Sequence, residues 1–368
     1  MASPTQSTVT AERTPLQVRL IGKANGVGLS RDFDLLAAAL RACGCEVTLR
    51  ACERRDRKRR RGLLTRLAAR ARGLRASVAG ARNGAPYDVN LMLEHVWPQF
   101  LHEARCNVLV PNPEWFDRRD VAFLGAANRV WAKTALGERL FAARGCRAVY
   151  IGFDSVDRRQ SAIARERQFL HLAGRSPLKG TARLLSLWRR HPEWPLLTVV
   201  QDADAGAAHA GAAHAGAARA DAAAANMRYH RGFLSEETLR ALQNSHRFHL
   251  CTSEAEGWGH YIVEAMSVGA VTLTCDAAPM NELVTAERGV LIAGRVGERH
   301  NMATLYQFDE PALEADIARL LTMAPAQWDQ LGAAARAWFL DNKHGFVARV
   351  QHALTELGAF GHAGRDRP

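Results

Sequence analysis

Short apolar segments alternate with helical ones along the chain, and this alternation restricts the fold more than any other feature of the sequence. The first apolar segment, LQVRLIG, leads through the turn KANGVGLSR into the helical stretch DFDLLAAALRACG and the strand candidate CEVTLRAC. Strands separated by helices pair in parallel, with the helices on the faces of the sheet. Four further strand candidates continue the first half: YDVNLMLEH, CNVLVPNP, RVWAKT and RAVYIGFD.

The second half repeats this pattern after a polar link, GFDSVDRR, at residues 152–159. Strand candidates alternate with helical segments from RQFLHLAG to RGVLIAG, and helical segments follow from Pro311 onward. Two successive doubly wound units predict an α/β protein of two Rossmann-like domains that face a central cleft. We assign residues 1–155 to the first domain, 156–340 to the second, and 341–368 to a C-terminal helix and tail.

Positive charge is concentrated in one segment. The net charge is +12, and residues 50–82 hold thirteen basic residues and two acids. Within residues 54–75, apolar side chains recur at helical spacing beside arginines, as in a basic amphipathic helix on an anionic membrane surface. A surface helix docked on its own domain would show the same pattern. Nucleic acid is not expected as a partner, because no aromatic residue interleaves the basic ones.

Three features bear on location and on flexible segments. The sequence has no apolar run of transmembrane length and no secretory signal pattern at its N-terminus. Seven cysteines without a C-x-x-C pair favour a reducing cytoplasm. Residues 203–225 repeat HAGAA and contain no branched apolar or aromatic side chain, so we interpret them as a low-complexity surface insert.

The segment TSEAEGWGHYIVEAMSVGA, residues 252–270, is the strongest candidate for a binding site. A strand candidate precedes it, and a helix is predicted to begin near His260. The backbone N–H groups of such a helix start favour anions, phosphate above all. Glu256 and Glu264 lie on either side and would accept hydrogen bonds from hydroxyl groups, which a nucleotide-diphosphate sugar offers on both sides of its diphosphate. Taken alone, the two acids are equally compatible with a loop residue and a helix-surface residue.

The first turn of the second half adds two cations. Arg175 and Lys179 flank Ser-Pro-Leu between a predicted strand and a predicted helix. An arginine fork and a lysine point charge at the carboxyl end of a neighbouring parallel strand suit a diphosphate. Solvated turn cations are the alternative interpretation.

These residues resemble the retaining GT-B glycosyltransferases of glycosyltransferase family four. The resemblance rests on LAGRSPLKG at 172–180, RGFLSEETL at 231–239 and EAEGWGHYIVEAMSVGA at 254–270, with two glutamates eight positions apart. It covers essentially the whole second half and extends more weakly to the first, through NGVGLSRDFDLLAAALRACGCEV and YIGFD. It implies the GT-B fold, with the C-terminal helix crossing back to the first domain.

The resemblance also implies roles for individual residues. Glu264 would accept hydrogen bonds from the ribose, Glu256 would hold the transferred sugar, and Arg175 and Lys179 would bind the diphosphate. The remaining implied donor contacts are the turn residues Gly257, Trp258, Gly259 and His260, and the first-domain glycines Gly26 and Gly28. Transfer would retain the anomeric configuration by a front-face route that uses no protein nucleophile.

The first domain departs from the family pattern at one position. The family often has a histidine after the strand that corresponds to CNVLV, and here that strand leads into Pro-Asn-Pro with Asn112. Asn112 can form a hydrogen bond but cannot carry a proton. Glu94 and His95, at the end of the preceding strand, are further candidates for acceptor contacts. A purely structural histidine is the alternative for His95.

We therefore expect a metal-independent enzyme that needs no cofactor and moves a sugar from a nucleotide-diphosphate sugar to a glycan or lipid-linked acceptor. It would act in the cytoplasm or at the inner face of the membrane, in cell-surface polysaccharide or glycoconjugate synthesis. The triplet Asp202-Ala203-Asp204 is a rival signal, because a D-x-D pair holds a divalent cation in the other major transferase fold. The alternative function is a non-catalytic anion-binding protein that grips membranes or nucleic acid through its basic segment.

Overall fold

A computed structural model describes residues 14–23, 28–53, 85–202 and 224–362 of the chain. Gly26, the basic segment 54–75 and nearly all of the 203–225 insert lie outside these residues. Among the described helices, none is long and apolar enough to cross a bilayer.

The first half forms a parallel sheet of six strands. Its strands are β1 (Gln17–Gly22), β2 (Glu46–Ala51), β3 (Tyr87–Leu93), β4 (Ala104–Val110), β5 (Arg129–Ala132) and β6 (Ala148–Tyr150), and they pair in the order β2-β1-β3-β4-β5-β6. Its helices are α1 (Gly28–Ala42), α2 (Arg118–Val121) and α3 (Ala135–Ala142). The central strands β1, β3 and β4 are largely buried on both faces, as expected of a sheet covered by helices on both sides, and the polar residues Arg19, Asn90 and Asn107 on them bond one another.

The second half forms another parallel sheet of six strands. Its strands are β7 (Glu166–Gly174), β8 (Leu197–Gln201), β9 (Met227–Arg231), β10 (His246–Cys251), β11 (Val271–Cys275) and β12 (Val290–Ile292), in the order β12-β11-β10-β7-β8-β9. Its helices are α4 (Thr181–Arg189), α5 (Glu236–Ser245), α6 (His260–Val268) and α7 (Met280–Leu283). The predicted α/β architecture of two doubly wound units is confirmed.

Helix α1 begins four residues earlier than the sequence predicts. Its first residue is Gly28, which was expected in the preceding turn, whereas the predicted start was Asp32. Leu29, Phe33 and Leu36 are all buried. They recur at the spacing of one helix face, so the apolar stripe that holds α1 against the sheet extends back through the first turn.

A two-stranded antiparallel hairpin was not predicted at all. It comprises β13 (Gly294–His300) and β14 (Ala303–Phe308), joined through Asn301 at a φ of 55°. Asparagine tolerates this left-handed conformation better than most residues. Most side chains of β13 are exposed, so its sequence lacks the alternation of apolar and polar residues that identifies a half-buried strand.

Most of the polar link at 152–159 is buried. Phe153 and Ser155 are fully buried, and Arg158 is 2% exposed and forms ion pairs with Glu236 and Glu264 of the second unit. Arg159, the last residue of the link, is exposed.

Two helices complete the chain, α8 (Glu310–Thr322) and α9 (Pro325–His362). Helix α9 packs on α6 of the second unit and also contacts α1 of the first. Arg349 of α9 donates a hydrogen bond of 2.8 Å to the carbonyl oxygen of Ile151, and Asn342 donates one of 2.8 Å to that of Phe153. One long helix thus touches both units and the link between them.

Candidate functional site

The strand order of each sheet changes direction at one point, and the carboxyl ends of the strands there form a crevice. In the first sheet this point lies between β1 and β3, and in the second between β7 and β10. Ligands of open α/β sheets bind at such switch points. The turn 175–180 follows β7 and the turn 252–259 follows β10, so both predicted motif segments meet at the second switch point.

Lys179 and Glu256 form the central contact between these two turns. The ammonium nitrogen of Lys179 lies 2.6 Å from Oε1 of Glu256 and 3.3 Å from the centre of the Tyr261 ring. Ser253 donates a hydrogen bond of 2.5 Å to the same Glu256 oxygen and also bonds the Tyr261 hydroxyl. The lysine and glutamate side chains are 15% and 14% exposed. Ser253 and Tyr261 therefore hold the pair on one side, and its other side is accessible to solvent.

Close backbone contact fixes the two turns against each other. Gly180 has a φ of 63°, and a Cβ added there would lie 2.6 Å from the carbonyl oxygen of Thr252. The N–H of Glu254 donates to the carbonyl oxygen of Leu178 at 2.8 Å. Only glycine satisfies both the left-handed conformation and the close approach at position 180.

The turn before α6 contacts the first unit. A Cβ on Gly257 would lie 2.3 Å from Oδ1 of Asn112, so this glycine and the loop after β4 are in direct contact. Gly259 has a φ of 94° and directly precedes α6, as the predicted helix start at His260 requires. Trp258 is buried and donates a hydrogen bond of 3.1 Å to the hydroxyl of Ser155 in the link.

A chain of hydrogen bonds continues from His260 into the first unit. Nδ1 of His260 lies 2.9 Å from Ser155 Oγ, and Nε2 lies 2.8 Å from Asp32 Oδ1. Lys133, which follows β5, bonds Asp32 at 2.5 Å and Asn112 at 3.0 Å. Burial alone would raise the pKa of Asp32, but Lys133 and His260 outweigh it and hold that pKa below its usual value. Asp32 is therefore an ionised carboxylate inside the contact between the units.

Glu264, the second glutamate of the motif, is buried and has three partners. It accepts hydrogen bonds from Arg31 at 2.7 Å, Gln243 at 3.0 Å and Arg158 at 3.4 Å. Arg31 comes from α1, so this contact also joins the two units. The cations beside Glu264 are thus two arginines that were not predicted, in place of Arg175 and Lys179.

Arg175, a predicted diphosphate ligand, is exposed and pairs with an acid outside the motif. Its side chain is 69% exposed, and its Nε bonds Asp202 at 2.5 Å. The structure therefore brings Lys179 and Glu256 together and leaves Arg175 on the rim. Asp202 belongs to the D-x-D triplet, whose second acid lies outside the described residues. The described residues contain no group of three potential metal ligands.

Two acids of the first unit, Glu94 after β3 and Asp120 on α2, contact His95. Glu94 has a φ of 62° and lies 3.3 Å from His95 Nε2, while Asp120 lies 2.8 Å from His95 Nδ1. Burial raises the pKa of Glu94, against the charges of His95 and Lys133. His95 is thus fixed between two carboxylates.

Several residues of this arrangement were missed in the sequence. Arg31, Asp32, Ser155 and Arg158 all contact predicted site residues, and so does Lys133. The partners of Arg31, Asp32, Ser155 and Arg158 lie more than a hundred positions away along the chain, and Lys133 lies 21 positions after its partner Asn112, so no local pattern indicates these contacts. The one available signal was charge in an apolar setting, as in Ala-Lys-Thr directly after the strand Arg-Val-Trp.

Known proteins match this chain in structure and not in sequence. No protein-family model matches the chain, and no curated protein matches it significantly. HepE of Anabaena, solved with UDP and glucose, has a TM-score of 0.65 at 15% identity over 92% of this chain and 99% of that one. A sucrose-phosphate synthase from Thermosynechococcus elongatus gives 0.66 at 15% identity over 93% and 99%. A glycosyltransferase from Rickettsia africae gives 0.63 at 11% identity over 94% and 99%.

The chain has the GT-B fold. The likeness covers both sheets and nearly the full length of each compared chain. In this GT-B chain, the Lys179–Glu256 pair and the loop that carries Asn112 lie on opposite sides of the contact between the two units. The candidate site is therefore the interdomain cleft.

Proposed function

We propose that the protein is a glycosyltransferase that moves a sugar from a nucleotide-diphosphate sugar to a hydroxyl acceptor with retention of configuration. The observation that carries this proposal is the Lys179–Glu256 pair at the carboxyl ends of β7 and β10. The ammonium group can donate to a diphosphate, and the carboxylate can accept from sugar hydroxyls. Two GT-B structures that this chain resembles support the choice, since one holds UDP and glucose and another is a sucrose-phosphate synthase.

In the proposed reaction, the bond between the anomeric carbon and the diphosphate oxygen breaks, and the electron pair stays on that oxygen. The acceptor oxygen forms its new bond on the same face, and its proton passes to the departing phosphate. Lys179 stabilises the negative charge that develops on the leaving group, which is commonly the largest protein contribution to such a step. Glu256, held by Lys179 and Ser253, orients the sugar. No protein nucleophile takes part.

The nucleoside would bind next to Glu264, whose carboxylate accepts from the ribose hydroxyls. Arg31 and Arg158 form ion pairs with this carboxylate and hold it in position. Arg31 is 30% exposed on its side chain and would shift when the ribose enters. Arg175 would leave Asp202 to reach the diphosphate. The turn residues Gly257, Trp258, Gly259 and His260 would add backbone contacts, and Gly26 and Gly28 would approach the donor from the first unit.

The acceptor would bind on the first-unit side, near Asn112, Glu94 and His95. The composition of residues 54–75 supports an anionic, lipid-linked acceptor and a position at the cytoplasmic face of the membrane. On that basis we assign the enzyme to the synthesis of cell-surface glycans, without a metal or cofactor.

Binding and turnover test this function together. UDP, GDP and ADP would be screened by thermal shift, and UDP-glucose, GDP-mannose and ADP-glucose by release of the nucleoside diphosphate. We expect one of the three nucleoside diphosphates to raise Tm. The sugar nucleotide with the same base should then release its nucleoside diphosphate. Glu256→Gln should keep the thermal shift and lose turnover by about a hundredfold. The matched control is Glu310→Gln, which alters a surface acid paired with Arg183 and Arg190. Absence of any thermal shift with the wild-type protein would contradict the proposal.

A further inference from the structure

One buried acid at the cleft has no role in the proposal so far. Glu114 follows β4 and is 5% exposed, and its Oε2 atom has no hydrogen-bond partner among the residues that the structure describes. A buried polar atom without a partner is rare in folded proteins, because its lost contact with water is not compensated. Such an atom at the edge of a ligand cleft indicates that a ligand group forms the missing hydrogen bond.

The surroundings of Glu114 place it at the same cleft as the Lys179–Glu256 pair. It lies two residues after Asn112, which touches Gly257, the neighbour of Glu256. The charged groups that act on its carboxyl are Glu256 from the turn after β10, Lys133 after β5 and Glu94 after β3. On the hairpin side, Asn301 donates to the carbonyl oxygen of Glu114 at 2.7 Å. His300 packs edge-on against Trp115 there.

The protonation state of Glu114 follows from this setting. Burial raises its pKa to about 8, a hydrogen bond with its own backbone opposes this, and Glu256 adds to the rise. The carboxyl group is therefore protonated at neutral pH and can both donate and accept a hydrogen bond. Glu256 provides an acceptor nearby, so the two acids offer complementary partners to one hydroxylated ring.

We propose that Glu114 is a sugar-binding residue, whose carboxyl group contacts a hydroxyl group of the transferred sugar opposite Glu256. This inference rests on the proposed function and adds to it the recognition of the sugar from the first-unit side. Ionisation of Glu114 would remove its donor and place a second negative charge beside Glu256. Sugar turnover should therefore fall as the pH rises through about 8, while binding of the nucleoside diphosphate, which lacks the sugar, should be unaffected.

The test is release of the nucleoside diphosphate from UDP-glucose, GDP-mannose and ADP-glucose between about pH 6 and 9.5, with water as acceptor. We expect Glu114→Ala to lower the rate about tenfold at pH 7. Glu114→Gln, which keeps the shape and a donor, should lower it two- to threefold, roughly, and remove the alkaline fall. The control is Glu103→Gln, at the opposite end of β4, where Glu103 pairs with Arg19.

The outcomes separate this inference from the proposed function. If the wild-type protein releases a sugar and both Glu114 variants share its rate and pH profile, Glu114 has no role in sugar binding. A Glu114→Gln variant with the wild-type alkaline fall also overturns the inference, because that fall then belongs to another group. If the wild-type protein acts on no donor, the proposed function fails, and the inference fails with it. Unchanged thermal shifts with UDP, GDP or ADP would verify that the variants are folded.

Discussion

Arg31 of α1 donates a hydrogen bond of 2.7 Å to Glu264 of α6, so a side chain of the first unit reaches a carboxylate that is 1% exposed in the second. Arg158 and Gln243 hold the same carboxylate from within the second half of the chain. Of the three donors to this carboxylate, only Arg31 comes from the first unit. The contact therefore links the motif acid to the arrangement of the two units.

Removal of this contact should loosen the closed arrangement. We expect Arg31→Ala to lower the free energy of unfolding by about 1.5–3 kcal/mol, the range for a hydrogen bond to a charged group. Small-angle scattering should show a larger radius of gyration because the cleft opens more readily. The control is Arg41→Ala, in the last turn of the same helix, where the side chain is exposed. Equal stability and radius for the two variants would show that Arg31 does not hold the units together.

The contact between Gly257 and Asn112 leaves no room for a side chain. A Cβ at position 257 would lie 2.3 Å from Oδ1 and 2.9 Å from Cβ of Asn112. We expect Gly257→Ala to destabilise the protein by about 1–3 kcal/mol, as overpacking does. The double variant Gly257→Ala with Asn112→Gly should be more stable than the two single effects added together, measured by urea denaturation.

Gly28→Ala is the matched control for that experiment. Position 28 is the first residue of α1, and no atom of the described part of the chain lies within 4 Å of a Cβ added there. Alanine there should leave the free energy of unfolding unchanged within about 0.5 kcal/mol. Additive effects in the double variant would mean that Gly257 and Asn112 do not contact each other.

Two buried histidines make stability depend on pH. Burial lowers the pKa of His171 to about 4 and that of His249 to about 3. In the unfolded chain both titrate near 6.5, so below that pH the unfolded state binds more protons. The free energy of unfolding should therefore fall as the pH drops from about 6.5 toward 4, by up to about 1.4 kcal/mol per pH unit for each histidine.

The variant His249→Gln tests this slope. Nε2 of His249 bonds the carbonyl oxygen of Gln243 at 3.0 Å, and a glutamine side chain keeps a donor at that reach. We expect the variant to lose stability less steeply between pH 6.5 and 4 in urea titrations. His352→Gln, at an exposed position of α9, should keep the wild-type slope. Identical slopes for His249→Gln and the wild-type protein would contradict this assignment.

Removal of divalent metal tests whether sugar release depends on a cation held by the D-x-D triplet. Asp202 is paired with Arg175 rather than with another acid, and the cleft already supplies the ammonium group of Lys179 for a diphosphate. We expect sugar release to persist in excess EDTA. Asp202→Ala should likewise retain turnover to within about threefold, the effect of losing an exposed ion pair. Loss of activity in EDTA, restored by magnesium or manganese, would favour a metal-dependent reaction.

The sequence was sufficient for the strands of the two parallel sheets and for placing Lys179 and Glu256 at neighbouring strand ends, because both follow from local order. Alternating strands and helices dictate parallel pairing, and the carboxyl ends of neighbouring parallel strands lie at one edge. The direction of Arg175 could not be predicted in the same way. The side chain lies at an exposed turn and can reach more than one acid. It pairs with Asp202, which follows the neighbouring strand β8.

The contacts between the units lay beyond sequence reasoning for a different reason. Asp32 contacts His260 across 228 positions and Arg31 contacts Glu264 across 233, so these contacts depend on how two separately formed sheets are placed. The hairpin β13–β14 was missed because its exposed residues carry no apolar pattern. Glu114 was missed because its burial comes from both units together.

The central claim is that Lys179 binds the diphosphate of the donor. The most direct measurement is the Kd of the wild-type protein, Lys179→Ala and Lys343→Ala for UDP, GDP and ADP, by titration calorimetry. Lys343 also pairs with an acid, Asp154, but lies on α9, so its loss controls for the removal of a lysine ion pair. We expect Lys179→Ala to weaken binding of the preferred nucleotide about ten- to a hundredfold, and Lys343→Ala to leave it unchanged. Equal Kd values for Lys179→Ala and the wild-type protein would contradict the claim.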